Sequence, residues 1–198
     1  MVQLAILIAI VILLTLTPLG YLKIGPVEAT LMGIPVSVAA MVLGPTGGAI
    51  IGLAFGLTSF FQCFGPSALG VFLLGVSPVL TAITCIVPRV LCGWLPGLLF
   101  RAMRPHDRTR TVSYFVTGLL TAVINTVLFV GCIVVFFWHN DAFLSQMQAW
   151  SITTDTLWLF LVAFVGINGI AEAAICAVVG GAAGKAVDRF LSSSSRKV

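Results

Sequence analysis

Charge is what this sequence has least of. Asp, Glu, Lys and Arg make up 8% of its 198 residues, against about 25% in a soluble domain. So few charges cannot cover a water-soluble fold. With 60% hydrophobic residues and a mean hydropathy of +1.17, the chain reads as an integral membrane protein. Histidine is scarce too: there are two, His106 and His139, far apart in sequence. The five cysteines (Cys63, Cys85, Cys92, Cys132 and Cys176) contain no CxxC pair. Metal sites need clustered Cys and His, so the cysteines read as small buried apolar side chains, with neither a metal nor a disulfide expected. A phosphate loop is also missing. In GGAAGKA, Gly180 and Gly184 enclose three residues, and Ala186 follows the lysine, where the motif requires four residues and then Ser or Thr. Intramembrane proteolysis would need a Ser–His pair or two aspartates within the spans. No histidine lies well inside an apolar run, and the one aspartate near such a run, Asp188, falls at its end. No catalytic residue and no cofactor are therefore expected.

What the chain does have is apolar runs punctuated by glycine and proline. At about 20 residues per helical span, one domain covering residues 1–198 has room for five or six helices. Breakers divide it into Leu4–Thr17, Ile34–Leu43, Ala49–Gln62, Val79–Met103, Thr111–Trp138 and Thr156–Leu191, with GPTGG (Gly44–Gly48) as a tight turn. The first run lacks a basic leader and a small-residue cleavage site, so it reads as a retained helix. The second and third spans are short for a bilayer. Short helices are tolerated where protein or a water-filled cavity surrounds them, which hints at a cavity.

Basic residues fix the orientation. With the N-terminus inside, Arg101, Arg104, Arg108, Arg110, Lys185, Arg189, Arg196 and Lys197 are cytoplasmic, Lys23 is outside and Arg89 is in the membrane. Eight against one is a strong positive-inside signal. Five spans would separate the two basic clusters, so six are expected, with both termini cytoplasmic. The net charge of +4 is thus topological, and no nucleic-acid partner is implied. The outer connections 18–33 and 62–78 are rich in Gly, Pro and large apolar residues. Exposed loops are normally polar, so these read either as lids over the bundle or as stretches filling the outer leaflet. The fold class is an all-α six-transmembrane-helix bundle, with apolar outer loops covering a substrate cavity.

Four polar residues interrupt the apolar spans: Arg89, Asn125, Asn168 and Glu172. Asn168 and Glu172 are four apart and share a helix face. Arg89 follows Pro88, where a backbone hydrogen bond is lost. An arginine cannot escape the cost of the membrane by deprotonating. Two readings remain open. Arg89 and Glu172 could form an ion pair that locks two helices, with the asparagines bonding across helices. Alternatively, the four converge on a small polar solute, with the guanidinium matching a carboxylate and the asparagines meeting hydroxyl or amide groups. Glycines 48, 52 and 56 are spaced by four and read as a close-packing ridge. Ala5 and Ala9 share the same spacing in the first span.

The ordered set of features resembles the substrate-binding S components of energy-coupling factor (ECF) vitamin transporters. It comprises six spans, Ala5-xxx-Ala9, the run IPVSVAAMVLGPTGGA (Ile34–Ala49), PRVLCG (Pro88–Gly93), Asn125 and Asn168-xxx-Glu172. Within that family the chain looks most like the pantothenate-type members, in which the arginine and asparagines contribute to the vitamin site. Similar proteins often carry His before the Ile-Pro pair, where this chain has Gly33. The resemblance implies capture of a water-soluble vitamin at the outer face, pantothenate being favoured. It also implies docking through Ala5 and Ala9 on a transmembrane coupling subunit that carries two ATPase subunits. Another vitamin such as riboflavin, or a stand-alone carrier of a small carboxylate, is the alternative.

Overall fold

Backbone in an apolar medium has to satisfy its hydrogen bonds internally, which favours helices. In the computed structural model the described residues are 2–17, 21–24, 27–107, 111–150 and 169–194. They form α1 (Val2–Leu16), a hairpin of β1 (Tyr21–Ile24) and β2 (Val27–Thr30), α2 (Gly33–Val42), α3 (Gly44–Gln62), α4 (Ala68–Val76), α5 (Pro78–Met103), α6 (Val112–Phe137) and α7 (Asp141–Ala149). The last described helix, α8, covers residues 169–194 and contains one π-helical segment, Cys176–Gly180. Among the described residues four helices are long and apolar enough to cross a membrane: Gly44–Gln62, Pro78–Met103, Val112–Phe137 and Gly169–Phe190. The apolar helices α1 and α2, with 15 and 10 residues, are shorter.

Three features differ from the sequence expectation. GPTGG is mostly not a turn but the opening of α3, with only Gly44 in the left-handed region at φ 77°. Pro45 fits there because a helix's first N–H groups have no intrahelical partner. The connection 18–33 carries an antiparallel hairpin that pairs Tyr21 with Thr30 and Ile24 with Val27. The connections after α3 and α6 carry the short helices α4 and α7. Ser67 caps α4 by accepting from Gly70 N at 3.3 Å. Asn140 caps α7 by accepting from Ala142 N at 3.0 Å and Phe143 N at 3.3 Å.

The glycine ridge packs as its spacing implies. A Cβ on Gly48 would lie 2.3 Å from Gly93 O, one on Gly52 2.2 Å from Arg89 O, and one on Gly56 2.9 Å from Ile86 Cα. Helix α3 therefore lies backbone-to-backbone on α5. Van der Waals contact of this kind replaces the hydrophobic driving force that a bilayer lacks. Helix α2 is wedged between this pair and α8, buried along nearly its whole length, which is how so short a helix keeps its backbone out of lipid.

The two ends of the bundle differ. At one end, Arg104 of α5 bridges Asp188 of α8 at 2.7 Å, Tyr114 Oη of α6 donates to the same carboxylate at 2.5 Å, and Lys185 donates to Thr111. Arg104 of one basic cluster and Lys185 of the other thus lie at the same end. At the other end, Leu69 and Leu73 of α4, Val130, Ile133 and Phe137 of α6, and Phe143 and Met147 of α7 form a buried apolar cluster. The apolar connection that carries α4 is folded onto the bundle through this cluster.

Candidate functional site

Pro88 sits inside α5 and has no N–H, so the carbonyl four residues earlier, that of Thr84, loses its helical donor. The Arg89 guanidinium takes its place, with Nη1 donating to Thr84 O at 3.0 Å. The same guanidinium lies over the Phe129 ring of α6, 4.2 Å from its centroid, and 5.4 Å from that of Phe55 on α3. Phe129 also packs against the apolar end cluster. Arg89 is 6% exposed and is therefore held directly beneath that cluster, steadied by cation–π contact on two sides.

Among the described residues no carboxylate lies within salt-bridge distance of Arg89. Three buried side-chain atoms among the described residues have no hydrogen-bond partner: Thr84 Oγ1, Arg89 Nε and Asn125 Oδ1. Buried polar groups are normally satisfied, so three orphans together need a reason. Each is linked to Arg89 by a bond or by a helix face shared with Phe129. Thr84 supplies the carbonyl that anchors Arg89, and Asn125 lies one helical turn before Phe129, on the same face of α6. The set comprises a charged donor, an amide acceptor and a hydroxyl that can do either.

Glu172 on α8 is 8% exposed, as is Asn125. Asn168 lies outside the described residues. Of the four site residues expected from sequence, three are buried polar groups in the α5–α6–α8 interior. Thr84, Phe55 and Phe129 were missed. The offsets of four from Pro88 and from Asn125 were the available signals for Thr84 and Phe129. A cleft of about 180 Å³ lies elsewhere, at the basic end, between Met41–Gly44 and Phe100, Arg101 and Arg104. Ala5 and Ala9 are exposed on α1, whose other face buries Val11 and packs Leu4, Leu7, Ile8 and Leu14 against α2 and α3.

Residues 1–180 match the family model described as "ECF transporter, substrate-specific component". The chain belongs to this family. It is thus a membrane protein of transporter type, not a member of an enzyme family. It is also 34% identical over 127 residues to the pantothenate transporter PanT of Leuconostoc mesenteroides subsp. mesenteroides, a match covering 60% of each chain. The matched region thus spans less than two thirds of that relative.

Proposed function

We propose that this S component captures pantothenate from the outer side and delivers it inward together with an ATP-driven module of one transmembrane coupling subunit and two ATPases. The observation that carries the substrate is the orphaned trio of Arg89 Nε, Asn125 Oδ1 and Thr84 Oγ1. Pantothenate presents a carboxylate for the guanidinium, and an amide N–H and hydroxyls for the acceptor and the threonine. The similarity to a pantothenate transporter points the same way. Glu172 of α8 and Asn168, four residues before it in sequence, complete the site.

In this reading α1 and α2 join the four long helices as six spans, and the cavity lies between α5, α6 and α8, under the apolar end formed by α4 and α7. The basic end faces the cytoplasm together with both termini, and Ala5 and Ala9 meet the coupling subunit. The chain itself performs no chemistry, and ATP is hydrolysed by its partners.

Equilibrium binding of labelled pantothenate to the isolated chain, without ATP, tests this. Tight saturable binding is expected, displaced by unlabelled pantothenate and not by riboflavin. One observation favours a different vitamin. Gly33 stands where similar proteins often have His, and a Cβ there would meet Cys176 Sγ at 2.6 Å. Saturable binding of labelled riboflavin with no binding of pantothenate would establish that second reading and remove the carboxylate role of Arg89.

A further inference from the structure

Cys63 and Cys85 belong to no sequence motif, and the vitamin site uses neither thiol. Their sulfur atoms nevertheless lie 3.7 Å apart, although 22 residues separate them in sequence. Cys63 is the C-cap of α3. Cys85 follows Thr84 on α5, and each of the two cysteines is 4% exposed.

Rigid backbone holds the pair together. At Gly56, about two turns before Cys63, α3 approaches α5 so closely that a Cβ would lie 3.2 Å from Cys85 O. From the other side, Gly70 of α4 presses on Cys63, where a Cβ would meet its Sγ at 2.7 Å. The two sulfurs are thus confined between three helices. A disulfide has an S–S length near 2.05 Å, so closure requires an approach of about 1.6 Å.

We propose that Cys63 and Cys85 are a redox-active pair that closes to an intramolecular disulfide, clasping the end of α3 to the helix that carries Arg89. The co-reactant is a low-molecular-weight disulfide. One thiol, as its thiolate, attacks a sulfur of the co-reactant, forming a mixed disulfide and expelling one small thiol. The second thiolate attacks the protein sulfur of that mixed disulfide and expels the other small thiol. The pair loses two electrons and two protons, and one co-reactant disulfide becomes two thiols. Only the clasp's exposure to an oxidising exterior rests on the orientation proposed above. Its chemistry rests on the packing of α3 against α5.

The test uses the full chain in detergent, treated with dithiodipyridine and analysed by intact mass and peptide mapping. Pantothenate binding is measured separately, so that failure of the substrate reading is not mistaken for failure of the clasp. The expected result is loss of two hydrogens, a Cys63–Cys85 cross-linked peptide, and a rise in unfolding temperature that dithiothreitol reverses. Cys63→Ser and Cys85→Ser, whose folding is checked by the same unfolding measurement, should each show none of these. The half-buried Cys132 reports whether reagent has entered the bundle. Stable pyridyl adducts on Cys63 or Cys85 without the cross-link would overturn the proposal. So would a modified Cys132 beside unreacted Cys63 and Cys85, or a cross-link to Cys92 instead.

Discussion

One imino acid decides where a buried charge is anchored. Pro88 frees the Thr84 carbonyl, Arg89 Nη1 occupies it, and Nε is left as a donor without a partner. If a substrate carboxylate supplies that partner, Arg89→Ala should weaken pantothenate binding by about 2–5 kcal/mol, the range for truncating one side of a buried charged pair. Arg89→Lys should recover only part of this, because an ammonium lacks the planar fork. Pro88→Ala should cost less than Arg89→Ala. It restores a helical N–H that competes for Thr84 O, so the guanidinium loses its anchor but not its charge. Isothermal titration on the three folded variants orders them, with Arg89→Ala weakest. Unchanged affinity in Arg89→Ala would return Arg89 to a purely structural role.

At the scale of elements, α3 and α5 act as one unit, because glycines let their backbones touch. A Cβ at Gly52 would lie 2.2 Å from Arg89 O, with no flexible side chain there to yield. Gly52→Ala should therefore destabilise the protein by about 1–3 kcal/mol, the usual cost of overpacking. It should also weaken vitamin binding, because the displaced backbone carries Arg89. Thermal unfolding and titration on the same preparation check both effects, and a Gly52→Ala protein with wild-type unfolding and affinity would contradict this packing. That ridge was legible in sequence from its spacing of four, as were Arg89, Asn125 and Glu172, because polar groups stand out in apolar runs. Thr84 and Phe129 were not legible by type, since neither is unusual in a membrane helix. Their roles depend on a lost hydrogen bond at Pro88 and on ring placement beside Arg89. The short elements α4 and α7 were hidden for another reason. Nine residues hold too few turns for helical periodicity to separate a helix from a merely apolar stretch. The hairpin at β1–β2 lies in a segment whose Gly and Pro suggested only a loop.

At the scale of the whole molecule, the bundle has an apolar end that covers Arg89, a basic end joined through Asp188, and a flank formed by α1. Helix α1 buries one face against α2 and α3 through Val11 and its neighbours, while Ala5, Ala9, Ile6 and Leu13 remain exposed. Large apolar side chains on a lipid-facing helix are unremarkable. Two small ones a turn apart leave a groove into which another helix can approach closely. That groove is remote from the site: among the described residues α1 makes no hydrogen bond to Thr84, Arg89 or Asn125, and it contributes no ionisable side chain. Replacing Ala5 and Ala9 by Leu should therefore leave pantothenate affinity of the isolated chain within about twofold of wild type, since surface substitutions away from specific features change little. The same double variant should abolish ATP-dependent uptake in membranes containing the coupling subunit and both ATPases. Loss of affinity together with uptake would mean that the alanines pack inside the bundle, against their exposure here. Full uptake would mean that the coupling subunit docks on another face. Retained binding with lost uptake is the result that separates capture from delivery, and it assigns the flank of α1 to the partner.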